Sequence, residues 1–302
     1  MMNANANINR LAAQAAADRY PSRVSDRPEM TDRLDPVVYG RPTPECPLTE
    51  EQFSFYERNG YLFLEQYFSE EEVGAWRAEL KRMQEQYRDR DAEFVIREPG
   101  GREVRSVFAV HDHNDVFRRL ASHPKLTSIT DALLGSETYI HQSRINFKPG
   151  FTGKEFYWHS DFETWHVEDG MQAMRALSCS IALSDNHPFN GPLMVMPGSH
   201  RKFVSCVGQT PENHYKESLR KQEYGVPDQE SLTALAERHG IATPTGKAGS
   251  VLLFDCNLMH GSSSNISPYP RSNVFLVYNS VHNRLVEPFS GQRPRPGYIA
   301  AR

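Results

Sequence analysis

The chain has 302 residues, and its 34 Lys and Arg residues against 38 Asp and Glu residues give a formal net charge of −4 at pH 7. This weak negative charge provides no bulk attraction to nucleic acid or to an anionic membrane, so neither is an expected partner. No apolar run approaches the roughly 20 residues that a membrane span requires, and the N-terminal stretch lacks the basic and apolar regions of a secretory signal. Four cysteines without CxxC spacing indicate a reducing compartment, and we expect a cytoplasmic protein.

The beginning of the chain differs in composition from the rest. Residues 1–46 are rich in Ala, Asn, Asp, Arg and Pro, which predicts a weakly ordered N-terminal arm with one short helix at Arg10–Arg19. Residues 47–302 carry the periodic patterns, and we expect them to form a single domain whose N-terminal part is helical.

Two capping boxes mark the first ordered helices. Thr49 with Gln52, and Ser69 with Glu72, have the spacing in which a hydroxyl and a side-chain acceptor satisfy each other's backbone donors. The first pair predicts a short helix that ends at Gly60, and the second predicts a long charged helix. Further elements expected before residue 139 are the end of that long helix at about Arg90, a strand at Tyr61–Leu64, a hairpin over Glu93–Val110 turning at Pro99-Gly100-Gly101, and helices at Val116–Ala121 and Lys125–Leu134.

From Tyr139 onward the pattern changes to short β segments separated by turn residues, with one helix expected near Gln229–Arg238. The predicted strands cover residues 139–148, 156–161, 176–185, 192–196, 250–256 and 272–281. Helices followed by strands that enclose a polar interior predict a mainly β protein with supporting helices. Its core is expected to be a double-stranded β-helix, the jelly-roll or cupin-like fold.

The segment Trp158-His159-Ser160-Asp161 carries the sharpest chemical signal. Side chains at positions i and i+2 of an extended strand share a face, so His159 and Asp161 can converge on one ion. His260 follows an apolar strand and is the predicted third ligand. Two histidines and one carboxylate form the facial triad that binds Fe(II) in non-haem oxygenases and leaves sites for a bidentate cosubstrate and dioxygen.

Arg271 lies eleven residues after His260 and opens the last predicted strand. A guanidinium at this position can bind a carboxylate through two parallel, charge-assisted hydrogen bonds. 2-Oxoglutarate requires such a partner for its distal carboxylate, because its keto acid end chelates the iron. The alternative interpretation, a core histidine with a surface arginine, leaves the combined spacing unexplained.

Alternating polarity on three predicted strands indicates a ligand cavity between the sheets. Strand 139–148 has one polar face. Strand 176–185 has small residues on one face and apolar residues on the other. The last strand has polar and aromatic side chains on the same face as Arg271. Such rows suit a barrel interior that must hold a small molecule. The polar residues on the first of these strands are Gln142, Arg144, Asn146 and Lys148. The residues on the face of Arg271 in the last strand are the polar Asn273 and the aromatic Phe275.

The spacing of these ligands and Arg271, with Met196-Pro197-Gly198-Ser199-His200 between them, resembles the phytanoyl-CoA dioxygenase-like superfamily over roughly residues 50–285. More narrowly, the stretch FYWHSDFETWHVEDGMQAMR (Phe156–Arg175) is similar to the signature segment of bacterial ectoine hydroxylases. One departure is Gln172, where that segment is expected to have Pro. This difference concerns the shape of a loop beyond the ligands and leaves the chemistry unaffected.

The resemblance implies that ectoine, a compatible solute, is hydroxylated to 5-hydroxyectoine while 2-oxoglutarate is decarboxylated to succinate and CO2, as part of an osmotic stress response. It implies Fe(II) as the metal, O2 as a cosubstrate, and a cytoplasmic homodimer. By position, the iron ligands and catalytic residues are His159, Asp161 and His260; the cosubstrate residues are Arg271, Lys148 and Ser262, with Phe156 and Asn146 nearby; and the ectoine residues are Gln142, Trp165, Asn273 and Phe275.

Two alternative functions remain open at this point. A related dioxygenase could share the iron centre and hydroxylate proline or another small polar solute. A non-catalytic jelly-roll module could bind a metal or a solute without turnover, although the intact carboxylate of Asp161 and the guanidinium of Arg271 argue against it. Halogenases of the same superfamily typically lack the carboxylate, so Asp161 also argues against that chemistry.

Overall fold

Local sequence signals open the first two long helices in this computed structural model, which describes residues 18–98, 103–218 and 224–302. The Thr49 hydroxyl accepts from the backbone N–H of Gln52, whose side chain accepts from the N–H of Thr49 in return. Ser69 and Glu72 repeat this arrangement. The helices are α1 (Glu50–Asn59), α2 (Glu70–Tyr87), α3 (Val110–His113), α4 (Asp115–Ala121), α5 (Pro124–Leu134), α6 (Asp161–Thr164), α7 (Tyr215–Ser218) and α8 (Gln229–His239), with a π-helical turn at Trp165–Asp169 and a 3-10 turn at Ser199–Arg201.

The strands form three antiparallel sheets. The strands are β1 (Met30–Asp32), β2 (Tyr61–Leu64), β3 (Val95–Arg97), β4 (Val104–Phe108), β5 (Thr138–Lys148), β6 (Phe156–His159), β7 (Ala176–Ala182), β8 (Leu193–Val195), β9 (Lys202–Val204), β10 (Val251–Asp255), β11 (His260–Ser262) and β12 (Arg271–Ser280). A major sheet has the order β2-β10-β7-β12-β5-β4-β3, a minor sheet the order β6-β11-β8, and β1 pairs with β9 alone.

The major sheet separates an apolar layer from the polar interior. On its outer face, side chains such as Ile181 and Leu276 join one large core with helix residues such as Trp76 and Leu126. On its inner face, β10 and β12 pack against β8 of the minor sheet, with Phe254 among the buried contacts. The mainly β fold with supporting helices and two facing sheets is the expected jelly-roll architecture.

The predicted strands after Tyr139 are all present with end shifts of at most three residues, and one shift matters for chemistry. The strand expected over 156–161 ends at His159, and Asp161 is instead the first residue of α6. Ser160 causes the change, because its hydroxyl accepts from the backbone N–H of Glu163 and caps the helix. The carboxylate ligand therefore lies at a helix start rather than on the strand.

The hairpin predicted over Glu93–Val110 is present as β3 paired with β4, while its turn at Pro99-Gly100-Gly101 lies outside the described residues. The helix expected at Arg10–Arg19 likewise lies almost wholly outside them. Among the residues that are described, no helix combines the length and apolar character needed to cross a membrane.

Residues 18–46 pack more closely than the weakly ordered arm that composition predicted. Strand β1 pairs with β9, and Tyr20 is only 1% exposed. Arg23 bonds to the buried carboxylates of Glu163 and Glu168, and Arg33 bonds to Asp255 at 2.8 Å. The difference arises because the order comes from polar side chains with distant buried partners, which a local composition does not reveal. The division into an arm and a domain beginning at residue 47 stays a prediction.

Candidate metal centre and active site

His159 and His260 are direct cross-strand neighbours in the minor sheet, on β6 and β11. Residues opposite each other on antiparallel strands project their side chains to the same side, and the two imidazole rings lie 4.3 Å apart between centroids. Asp161 completes the group, with carboxylate oxygens 3.7 Å from His159 Nε2 and 3.9 Å from His260 Nε2. The three ligand atoms all lie within 4.8 Å of one another, in an arrangement suited to one metal ion.

Backbone carbonyls set the tautomer of both histidines. His159 Nδ1 lies 2.7 Å from the Tyr157 carbonyl oxygen, and His260 Nδ1 lies 2.9 Å from that of Leu258. Since a carbonyl oxygen only accepts, Nδ1 must carry the proton in each ring, which leaves Nε2 with a free lone pair. Burial, followed by the proximity of His260, lowers the pKa of His159 to about 4. His159 is therefore neutral at physiological pH, the form that binds a metal.

Asp161 is held in its ionised form. Burial alone would raise the pKa of the Asp161 carboxyl, but the two imidazoles and Arg144 hold it below its usual value. The Ser178 hydroxyl on β7 donates to its Oδ2 at 3.0 Å, which orients the group. The site thus offers two imidazole nitrogens and one carboxylate, the donor set of a non-haem iron centre.

Two basic side chains lie next to each other at the other end of the same interior. Arg271 on β12 is paired in register with Lys148 on β5, and both are at most 4% exposed. Lys148 Nζ donates to Ser262 Oγ at 2.7 Å and to the Ser263 carbonyl at 2.6 Å. Arg271 donates to Asn273 Oδ1 at 3.2 Å, and its Nε has no hydrogen-bond partner in the described part of the chain. Burial lowers the pKa of Arg271 to about 10, and no carboxylate of the described segments bonds to its guanidinium.

A cavity opens beside His159 and Asp161. Gln142 and Trp165, the residues predicted to contact the substrate, both line it, and so does the Arg144 guanidinium, which donates to Gln142 Oε1 at 2.8 Å. Six of the twelve predicted site residues line this cavity: Gln142, Asn146, Phe156, His159, Asp161 and Trp165.

The other six predicted residues lie on the adjoining inner surfaces. Asn273 donates to Ser180 Oγ at 2.9 Å, and the ring of Phe275 lies 5.2 Å from the Arg144 guanidinium. Lys148 lies 5.6 Å from the ring of Phe156, which links the basic end to the cavity. The members of this second group are Lys148, His260, Ser262, Arg271, Asn273 and Phe275. The structure therefore brings all the predicted residues into one interior.

Sequence reasoning placed Arg144 on the polar face of β5 but assigned it no role, and it missed several other residues of the cavity wall. Arg295 and Tyr224 come from irregular segments far from the motif, where no periodic pattern points to a site. The missed lining residues are Ser106, Phe108, Thr164, Glu168, Tyr224 and Arg295. Gln172, the one departure from the resembled segment, lies outside the cavity and donates to the Arg284 carbonyl at 3.0 Å.

Comparison with known proteins agrees with this geometry. The family model described as phytanoyl-CoA dioxygenase (PhyH) matches residues 56–273. The chain belongs to the phytanoyl-CoA dioxygenase family. Within that family it is 56% identical over 286 residues to the ectoine dioxygenase of Stutzerimonas stutzeri strain A1501, covering 95% of each chain.

Solved structures of a family member from S. alaskensis superpose closely on this chain. The crystal structure of EctD with 2-oxoglutarate and 5-hydroxyectoine has a TM-score of 0.86 at 50% identity, covering 94% of this chain and 95% of the other. EctD with bound Fe has a TM-score of 0.84 at 50% identity, covering 94% of each chain. The residues described above fit both groups, since the triad offers two imidazoles and a carboxylate, while the buried Arg271 has no carboxylate partner among the described residues.

Proposed function

We propose that the chain is an Fe(II)- and 2-oxoglutarate-dependent dioxygenase that hydroxylates ectoine to 5-hydroxyectoine, with release of succinate and CO2. The assignment of ectoine as the substrate rests on the similarity to ectoine dioxygenases over almost the whole chain. The reaction belongs to the synthesis of compatible solutes in the osmotic stress response. The triad and the two buried basic side chains, Arg271 and Lys148, support the class of reaction independently of that similarity.

Each residue of the interior has a distinct task in this proposal. His159, Asp161 and His260 hold Fe(II), which, when bound, supplies the activation of dioxygen. Arg271 binds the distal carboxylate of 2-oxoglutarate through its planar fork. Lys148 adds a positive charge next to Arg271, and Ser262 orients the lysine through its hydrogen bond. Phe156 and Asn146 complete the wall between the basic end and the triad.

The cavity suits a small zwitterion. Ectoine carries a delocalised amidinium cation and a carboxylate on one ring. Trp165 offers an aromatic face to the cation, and the Glu168 carboxylate lines the same cavity. Arg144 and Arg295 provide two guanidinium groups for the carboxylate. Burial lowers the pKa of Arg144, because the guanidinium loses water contacts that a bound anion would replace.

Three further residues complete the assignment of the substrate side. Gln142 is proposed to contact the ectoine carboxylate, because an amide can donate a hydrogen bond without adding charge. Asn273 and Phe275 lie on the same face of β12 behind the cavity wall, where they support the bound solute. Water must be excluded when the C–H bond is oxidised, and the mostly buried wall serves that purpose.

We also propose that the enzyme acts in the cytoplasm as a homodimer. All four cysteines are free and buried in the described part of the chain, which suits a reducing compartment. The homodimer follows from the resemblance to ectoine hydroxylases. Light scattering of the purified enzyme and fractionation of the producing cells test the two statements separately.

Mass spectrometry of ectoine incubated with enzyme, Fe(II), 2-oxoglutarate and air tests the reaction. We expect a product 16 Da heavier than ectoine and an equal amount of succinate, by the stoichiometry of the reaction class. Proline replaces ectoine in a parallel incubation, and His260→Ala protein serves as the inactive control. Hydroxylated proline with untouched ectoine would transfer the assignment to a sibling dioxygenase. Absence of succinate with either solute would favour a binding module.

A further inference from the structure

Asp169 is a buried carboxylate behind the cavity wall, at the end of the π-helical turn, and it is only 1% exposed. Both of its oxygens accept from the guanidinium of Arg295, at 2.7 Å from Nε and 2.6 Å from Nη2. This bidentate pair fixes a guanidinium that itself lines the active-site cavity. Burial would raise the pKa of Asp169, but the charge and hydrogen bonds of Arg295 lower it to about 2.

The Asp169 carboxylate also lies behind the part of the cavity wall that Trp165 forms. Asp169 Oδ2 lies 3.3 Å from His141 Nε2, and His141 is completely buried. The His141 ring packs edge to face on Trp165, with 5.2 Å between the centroids. Asp169 is therefore connected to the cavity wall at two points. One connection is its ion pair with Arg295, and the other runs through His141, which packs on Trp165.

The last residues of the chain, 295–302, form a strap that closes over the same carboxylate. The Asp169 main-chain carbonyl accepts from the Arg302 guanidinium at 3.0 Å. Further along the strap, the Ile299 carbonyl accepts from Gln142 Nε2 at 2.8 Å, and the Ala301 N–H donates to the His141 carbonyl at 2.8 Å. Gln142 is thus held by the strap, which in turn is anchored at Asp169 by Arg295 and Arg302.

We propose that Asp169 is a positioning residue for the substrate, which sets the places of Arg295, Trp165 and Gln142 without touching the substrate itself. The inference rests on the proposed function, because it concerns the solute that occupies this cavity. Asp169 does not line the cavity, and it is neither a ligand of the triad nor a neighbour of Arg271. Its loss should therefore change recognition of ectoine and leave the iron and 2-oxoglutarate half of the site intact.

Asp169→Asn separates this role from a structural one, because it removes the charge and keeps the volume. We expect the KM for ectoine to rise about 10- to 100-fold, the range seen when groups that orient ligands are removed. The KM for 2-oxoglutarate and the iron content should stay at the wild-type values. The ratio of succinate to 5-hydroxyectoine should increase, since a loosely held solute is oxidised less often per turnover.

Asp255→Asn is the matched control. Asp255 forms another buried ion pair, with Arg33, and does not line the cavity. It should lower the Tm without changing the KM for ectoine or the succinate ratio. Deletion of residues 298–302 is a second test that leaves Asp169 in place, and it should also raise the KM for ectoine because Gln142 loses the Ile299 carbonyl.

The outcomes distinguish this inference from the proposed function. If the wild type hydroxylates ectoine and Asp169→Asn has a wild-type KM and succinate ratio, the positioning role is wrong. If the wild type does not act on ectoine, the proposed function fails. A crystal structure of Asp169→Asn then tests whether Asp169 still positions the cavity residues. Displaced Trp165 and Gln142 side chains in that structure would support the positioning role, and unmoved ones would overturn it.

Discussion

Arg271 and Lys148 are directly opposite each other on β12 and β5, so that two buried basic side chains share one end of the interior. Among the described residues no carboxylate bonds to the Arg271 guanidinium, and Lys148 is held only by a hydroxyl and a carbonyl. Burying basic groups without an anionic partner is costly, so this end of the site is complementary to a carboxylate. The distal carboxylate of 2-oxoglutarate provides that charge.

Arg271→Ala should raise the KM for 2-oxoglutarate far more than the KM for ectoine. The lost ion pair in a partly dry site corresponds to about 2–5 kcal/mol. Arg271→Lys should also be impaired, because an ammonium does not reproduce the two parallel hydrogen bonds. Steady-state kinetics with each substrate varied in turn measures both effects. Unchanged dependence on 2-oxoglutarate in both variants would remove Arg271 from the cosubstrate site.

The affinity for 2-oxoglutarate should fall as the pH rises above about 6. Burial, followed by the nearby charge of Arg271, lowers the pKa of Lys148 to about 6 in the ligand-free protein. A bound dicarboxylate favours the ammonium form and raises this pKa. Below pH 6 the lysine is already protonated, and the affinity for 2-oxoglutarate is at its maximum. Above pH 6 binding must take up a proton, so the affinity falls by as much as about tenfold per pH unit.

Calorimetry in buffers of different ionisation enthalpy measures that proton uptake directly. We expect uptake near pH 8 in the wild type and much less in Lys148→Met, which keeps the length of the side chain without the titrating group. Wild-type binding at pH 8 without proton uptake would contradict the linkage.

Removal of any one triad ligand should abolish iron retention and turnover. His159→Ala, Asp161→Ala and His260→Ala each leave two ligands, which hold Fe(II) poorly. His282→Ala, at an exposed histidine outside the site, is the matched control and should retain iron. Metal content by atomic emission and succinate release measure the two effects. If a variant keeps both iron and full activity, the substituted residue is not an iron ligand.

Gln142→Ala and Trp165→Ala should retain iron and 2-oxoglutarate while losing most ectoine hydroxylation. Both residues line the cavity and neither belongs to the triad. Trp165→Phe should recover part of the activity, because a smaller aromatic face keeps some of a cation–π attraction worth about 0.5–2 kcal/mol. Gln172→Ala, at an exposed glutamine, is the control. Equal rates of 5-hydroxyectoine formation in all variants would place the substrate elsewhere.

Arg23→Ala should lower the free energy of unfolding by about 3–5 kcal/mol, because it leaves the buried carboxylate of Glu163 without its cation and removes one of the two arginine partners of Glu168. Arg27→Ala changes an exposed arginine of the same segment and should have little effect. Deletion of residues 1–17 should be tolerated, whereas deletion through residue 40 removes Arg23 and Arg33 and should destabilise the enzyme. Urea unfolding followed by circular dichroism compares them. Tolerance of the longer deletion would show that these ion pairs contribute little.

Local signals predicted more of this protein than distant ones. The capping boxes at Thr49 and Ser69 were predictable because each depends on residues three positions apart. The polar face of β5 was predictable because strand alternation follows from the backbone. The iron ligands and Arg271 could be predicted because their spacing reflects chemistry that few other arrangements satisfy.

Contacts between distant segments could not be predicted in this way. Arg295 reaches Asp169 across 126 residues of sequence, and Arg23 reaches Glu163 across 140. Neither arginine differs from a surface arginine in its local pattern. The position of Asp161 at a helix start was missed for a different reason, because Ser160 can either continue a strand or cap a helix.

The cross-strand pairing of His159 with His260 also bears on the lifetime of the protein. The two residues are 101 positions apart in sequence, and β11, which carries His260, is only three residues long. A metal ion bound between them acts as a cross-link that closes a long loop and holds a short strand in its sheet. Enzyme made under iron limitation should therefore be more easily cleaved by proteases near β6 and β11, so that iron supply governs abundance as well as catalysis.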